Sequence, residues 1–219
     1  MKIRKTLVIY LLLICFVLDS SLIIKVSYAT GFSIKPYEIL GHSCFTDGEK
    51  GRILPFEDYS ELDYLGRCGV AFANVCKDTM LTTPRGPIGM IKPTGWQTPQ
   101  IKYDFIDGKY LYNRCHLIAY KLTSENANEK NLVTGTRYMN IYGMKPFEDK
   151  VVNHIKNTNH HVLYRSTPIF EGNDLLCKGI KIEAYCLEEK GGDIDFCVLC
   201  YNIQPNVVID YATGKNWEK

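Results

Sequence analysis

Asn113-Arg114-Cys115-His116, Asn131, the run Gly135-Thr136-Arg137-Tyr138-Met139-Asn140 and Glu148 fall within one stretch, residues 110–156. Together they hold the reagents of a metal-assisted hydrolysis. His116 carries an imidazole whose ordinary pKa of about 6.5 suits proton removal near neutral pH. Asn140 offers a neutral oxygen, which suits a hard Mg²⁺ ion that keeps most of its waters, with Mn²⁺ as a substitute. Glu148 can hold metal-bound waters from behind, and Arg114 can fork onto the oxygens of an anion. Asn131 reads as a positioning group. Phosphodiester hydrolysis needs such a set: an activated water, neutralised phosphate charge and a stabilised leaving oxygen.

Taken singly, each residue has a plainer reading. A histidine is most often a hydrogen-bonded structural residue, Asn140 a turn or helix cap, Glu148 a solvated acid at a helix start, and Arg114 a surface charge. Their ordered occurrence in one stretch is what favours a site. His42, His154, His160 and His161 have no such company along the sequence and read as structural.

The elements that must position these groups can be read around them. Asp107-Gly108 is a hairpin signal between residues 101–105 and 110–114. In an extended second strand Arg114 and His116 share one face, with Asn113 and Cys115 on the other. Residues 130–138 read as irregular or a short strand. Pro146 marks a helix first turn, Phe147, Val151 and Ile155 follow at helical spacing, and Asn157-Thr158-Asn159 ends the helix. Strands follow at 161–170, 180–185 and 194–202. Upstream, 30–55 reads as an irregular arm, 60–65 as a short helix entering a buried segment, and 83–87 and 92–96 as turns. Extended pieces, a helix and then antiparallel strands predict an α+β domain on an antiparallel sheet, a single domain over 30–219.

A chain of 219 residues with 46% hydrophobic and 23% charged residues can bury a real core, which excludes a disordered protein. Lys2, Arg4 and Lys5 precede an apolar run at 7–18, and Ser27 and Ala29 stand two apart, so residues 1–29 read as a cleaved signal peptide. The alternative, an uncleaved membrane anchor, has a run short of the roughly 20 residues a span needs. Without the leader the chain keeps 22 of its 26 basic and 23 of its 24 acidic residues, so any attraction to phosphates must be local. Eight cysteines remain after export to a compartment where disulfides persist, and their pairing cannot be read. Cys197 and Cys200 look like a metal-binding pair, but they lie in a strand, where residues three apart point to opposite faces.

The set Arg114-Cys115-His116, Asn131, Asn140 and Glu148 resembles the DNA/RNA non-specific endonucleases, most closely their secreted streptodornase-like members. The likeness extends through Gly95-Trp96-Gln97-Thr98, Glu125-Asn126-Ala127-Asn128-Glu129-Lys130-Asn131-Leu132, His161-Val162-Leu163-Tyr164-Arg165 and Asp210-Tyr211-Ala212-Thr213-Gly214, covering about residues 60–214. It implies a ββα-metal active-site motif and Mg²⁺-dependent, sequence-independent cleavage of DNA and RNA that leaves 5′-phosphate ends. By the same resemblance His116 is the general base, Arg114, Glu148 and Asn131 assist catalysis, and Asn140 holds the metal. Arg137 and Arg85 are candidate nucleic-acid contacts, while Trp96 either stacks on a base or belongs to the core. Many members carry Asp-Arg-Gly-His where this chain has Asn113-Arg114-Cys115-His116, which removes the acid that could pair with Arg114. The expectation is a secreted monomeric endonuclease acting on DNA and RNA, with no stable membrane insertion. The alternative is a secreted nucleic-acid-binding protein of the same fold without turnover.

Overall fold

Alternating buried and half-buried side chains in the C-terminal third build the centre of the sheet in the computed structural model, which describes residues 34–80 and 84–219. The leader expected at 1–29 and position 83 of the 83–87 turn lie outside the described residues. In chain order the elements are β1 (Tyr37–Gly41), α1 (Asp47–Lys50), β2 (Phe56–Tyr59), β3 (Ala71–Val75), β4 (Tyr112–His116), α2 (Tyr120–Thr123) and β5 (Leu132–Thr136). They continue with α3 (Lys145–Thr158), β6 (Val162–Ile169), β7 (Gly179–Cys186), β8 (Gly191–Tyr201), β9 (Val207–Ile209) and β10 (Asn216–Glu218). The α+β class expected from the sequence is the one observed.

Six strands in the order β1-β8-β7-β6-β3-β2, every neighbouring pair antiparallel, form the main sheet. Val162, Tyr164, Ile180, Ile182, Ala184 and Val198 point from it into the main core, where they meet Val151, Val152 and Ile155 of α3 and Cys115 of β4. Phe147 of α3 packs on Phe196 of β8 and edge-on against Tyr37 of β1, which sets the helix across the sheet. On the opposite face Arg165 bridges the fully buried Glu183 and Glu49 of α1. A buried carboxylate is tolerable only when paired in this way. Among the described residues no helix is long and apolar enough to cross a membrane.

Three local expectations are corrected. The Asp107-Gly108 turn forms, but it joins only an isolated bridge, Lys102 to Tyr110; β4 pairs instead with β5, in the register Tyr112–Thr136 to His116–Leu132. The local turn signal could not register this longer-range partner. Residues 60–65 form a turn rather than a helix, because the Asp63 carboxylate accepts the backbone N–H groups of Leu65 and Arg67 and pairs with the Arg67 guanidinium. The upstream arm contributes the edge strand β1 and the short α1, whose Thr46 and Glu49 form a capping box.

All eight cysteines of the described residues are free thiols. Cys200 lies in the main core while Cys197 is outside it, in keeping with their placement on opposite faces of β8.

Candidate active site

β4 delivers His116 at its C-terminal end, and β5 returns through a π-helical turn, Met139–Met144, that runs without a break into α3. The turn is closed by the Lys145 N–H donating to the Asn140 carbonyl. An extra residue in a helical turn displaces side chains from their regular rows, a device concentrated at functional sites. The strand, strand and helix therefore form one unit, with Asn140 on the joint between the second strand and the helix. The helix continues from this turn, so Glu148 does not cap a free helix end.

His116 is 7% exposed and is held at both ring nitrogens. The Asn126 carbonyl lies 2.8 Å from Nε2, and an Arg85 amino group lies 3.3 Å from Nδ1. A carbonyl can only accept and a guanidinium can only donate, so these contacts select the neutral ring with its proton on Nε2 and a lone pair on Nδ1. Burial pushes the imidazole down to about 4, with the Arg85 charge acting in the same direction against the Asn126 hydrogen bond. A neutral imidazole with a fixed tautomer is what a general base at neutral pH requires.

The arginine at the base is thus Arg85, from 31 residues upstream, and not Arg114. Arg114 shares the His116 side of β4 but donates to the carbonyls of Ile91 and Gly89, and its guanidinium stacks 3.9 Å from the Trp96 ring centroid. These contacts replace the missing acid at position 113: Arg114 fastens the 89–96 loop to the strand that bears His116. Trp96 is half-buried against the smaller hydrophobic cluster of Tyr103, Leu111, Tyr112 and Leu176.

Cys115 is fully buried and faces Gly135 of β5. A Cβ on Gly135 would stand 2.6 Å from the Cys115 sulfur and 2.5 Å from the Met139 methyl carbon, so the absence of a side chain at 135 is what leaves room for the thiol. Burial raises the Cys115 thiol well above its usual range, with nearby Cys177 and Glu148 adding and Arg85 opposing. Arg85 and Glu148 therefore share one electrostatic neighbourhood around the residue preceding His116.

Asn131 is fully buried, and both ends of its amide are engaged by one residue. Oδ1 accepts the Ile118 N–H at 2.9 Å and Nδ2 donates to the Ile118 carbonyl at 3.1 Å. It cannot reach substrate; it clamps the chain two residues beyond His116. Asn131→Ala leaves two buried backbone groups without partners and should cost about 2–4 kcal/mol in a urea titration.

Asn140 is half-buried, and its side-chain amide takes no partner from the described residues. Glu148 is 8% exposed, and burial raises its carboxyl above the usual range despite Lys121, whose ammonium lies 3.3 Å away. Lys121 also pairs with Asp149, which in turn holds Lys145. A free amide oxygen and a buried carboxylate offer the hard oxygen donors that a hydrated Mg²⁺ prefers. Arg137 is drawn to the other end of the hairpin turn, pairing with Asp107 at 2.6 Å. Sequence reasoning missed the Arg85 contact to the base, the Asn126 carbonyl and Lys121; the proximity of position 126 to a histidine ten residues earlier carries no local signal.

Residues 52–186 match the model of the DNA/RNA non-specific endonuclease family. A "Deoxyribonuclease" of Streptococcus dysgalactiae subsp. equisimilis is 31% identical over 110 residues, 48% of this chain; the match spans about a third (32%) of that relative's length. Among solved structures, NucA from Streptococcus agalactiae with no metal bound superposes with a TM-score of 0.75 at 22% identity, covering 92% of this chain and 97% of NucA. The Sda1 nuclease with a bound zinc ion gives 0.72 at 24%, covering 84% and 97%. A magnesium-bound NucA gives 0.73 at 22%, covering 92% and 98%.

Proposed function

The chain belongs to the DNA/RNA non-specific endonuclease family, and on that premise we propose that it is a divalent-metal-dependent endonuclease that hydrolyses DNA, and RNA as well, without regard to sequence. The observation that carries this reading is the His116 ring, locked as a neutral base by the Asn126 carbonyl on Nε2 and facing Arg85 through Nδ1.

Nδ1 of His116 takes a proton from the attacking water, and the Asn126 carbonyl steadies the imidazolium that forms. Arg85, free to turn from Nδ1 as a phosphate arrives, donates to a non-bridging oxygen. Asn140 would hold the metal directly, and Glu148, kept in place by Lys121, would accept from its waters. A bound Mg²⁺ would neutralise phosphate charge and stabilise the departing 3′ oxygen, which leaves a 5′-phosphate on the other fragment. The magnesium-bound NucA and zinc-bound Sda1 structures support a divalent ion on this fold; the hard oxygen donors favour Mg²⁺, with Mn²⁺ as substitute. Arginines that address phosphates supply affinity without base readout, which fits indifference to sequence.

The basic residues and apolar run within residues 1–29 support export of an enzyme domain comprising residues 30–219. The test is digestion of supercoiled plasmid and of RNA by the purified protein, with Mg²⁺ or with EDTA. Loss of both substrates with Mg²⁺ only is expected. Cleavage of DNA alone narrows the substrate, and binding of both with no cleavage would replace the enzyme with a nucleic-acid-binding protein.

A further inference from the structure

The far end of α3 holds a second group of side chains of metal-ligating type, two of them histidines that the sequence suggested were merely structural. His154 lies in the last turns of α3, His160 just past its end, Cys186 closes β7, and Glu189 sits on the turn into β8. One ligand atom from each lies within 4.8 Å of all the others. The His160 Nδ1 is 3.6 Å from the Cys186 sulfur and 3.2 Å from a Glu189 oxygen. Around a tetrahedral zinc with ordinary bond lengths the corresponding edges are about 3.6 Å for nitrogen to sulfur and about 3.3 Å for nitrogen to oxygen.

Two observations separate this group from a chance polar cluster. The His154 side chain is only 10% exposed, and its buried Nε2 has no hydrogen-bond partner; the same Glu189 oxygen is 4.0 Å away, beyond hydrogen-bond range. A buried ring nitrogen without a partner is costly unless something outside the protein takes its lone pair. A His160–Glu189 ion pair alone would leave it unexplained. The backbone is also shaped to bring Glu189 in. Lys190, Gly191 and Gly192 all have positive φ, and a Cβ on Gly192 would stand 2.4 Å from a Glu189 carboxylate oxygen and 2.9 Å from its Cβ. Asn159, in the left-handed conformation, turns the chain so that the His160 ring meets that of His154, with centroids 5.6 Å apart.

We propose that His154, His160, Cys186 and Glu189 form a structural zinc site that bolts the C-terminal end of α3 to the β7–β8 turn. Two imidazoles, a thiolate and a carboxylate close a four-coordinate shell and leave no position for substrate. The site is separate from Asn140, which lies on the π-helical turn at the other end of the same helix. Its role is to fix the element that presents Asn140 and Glu148.

The test is Co²⁺ substitution of the chelator-treated protein. One Co²⁺ per chain should bind with intense visible bands of tetrahedral geometry and a near-ultraviolet thiolate-to-cobalt band. That thiolate band should vanish in Cys186→Ser and survive in Asn140→Ala. His160→Gln, at a half-exposed position where folding is less at risk, should weaken Co²⁺ and Zn²⁺ binding at least about tenfold and abolish the rise in melting temperature that Zn²⁺ gives the wild type. A wild-type protein with no thiolate band, a band that persists in Cys186→Ser, or unchanged affinity in His160→Gln would overturn the assignment. Mg²⁺-supported cleavage would be untouched by that result, so failure here is distinguishable from failure of the active-site reading.

Discussion

Replacing His116 with alanine is expected to lower the cleavage rate by about 10²–10⁴-fold while DNA binding persists, the range over which a positioned general base contributes. The ring's hydrogen-bond partners are a carbonyl and a guanidinium, both able to turn to water or phosphate, so the variant should fold. Its pH behaviour distinguishes a base from a structural histidine. Burial takes the imidazole from its ordinary 6.5 down to about 4, so the acid limb of kcat/KM should fall well below pH 6.5. Arg85→Ala removes a charge that opposes protonation and should move that limb upward. Stability carries the same signature. Below pH 6.5 the unfolded chain takes up a proton that the folded imidazole refuses until about pH 4. Stability is therefore full above 6.5 and falls as the pH drops through this window, by up to about 3 kcal/mol. The raised Glu148 carboxyl acts in the opposite sense, so the His116 contribution is the difference between wild type and His116→Ala in urea titrations from pH 7 to 4.

Asn140→Ala should produce the second large loss. The side chain has no partner among the described residues, so its removal should change stability by no more than about 0.5 kcal/mol. If its oxygen holds the metal, cleavage at limiting Mg²⁺ should fall by roughly 10²-fold or more, because charge stabilisation by a bound ion is worth several kcal/mol. Part of the loss should return as Mg²⁺ is raised, with the half-saturating concentration displaced upward. A variant with wild-type metal dependence would remove Asn140 from the site.

Most of the scaffold was legible in the sequence, for physical reasons that also explain what was not. Pro146, the 147, 151, 155 spacing and the closing Asn157-Thr158-Asn159 are local signals, and α3 follows them to the Asn159 cap. β6, β7 and β8 likewise follow their own apolar alternation. The identity of the partner of β4 is a long-range matter. Asp107-Gly108 argues for a hairpin with 101–105, yet burial of Cys115 against Gly135 joins β4 to β5. The π-helical turn at Asn140 was invisible because no residue type demands it. Asn131 was expected to assist at the site, and its two-point clamp on Ile118 had no local signal. Arg114 and Arg85 exchanged the roles that proximity in sequence suggests: the neighbour of His116 along the chain holds a loop, and the distant one meets the ring. The His154, His160, Cys186 and Glu189 group was hidden for the same reason, since it is assembled from a helix end and a hairpin turn.

The central claim is that His116 supplies the base through Nδ1, and imidazole rescue of His116→Gly tests it most directly. Plasmid cleavage by the folded variant in Mg²⁺ should be almost absent, should return in proportion to added imidazole, and should follow the titration of the added base rather than that of the protein. Cleavage by His116→Gly at the wild-type rate without imidazole would contradict the account.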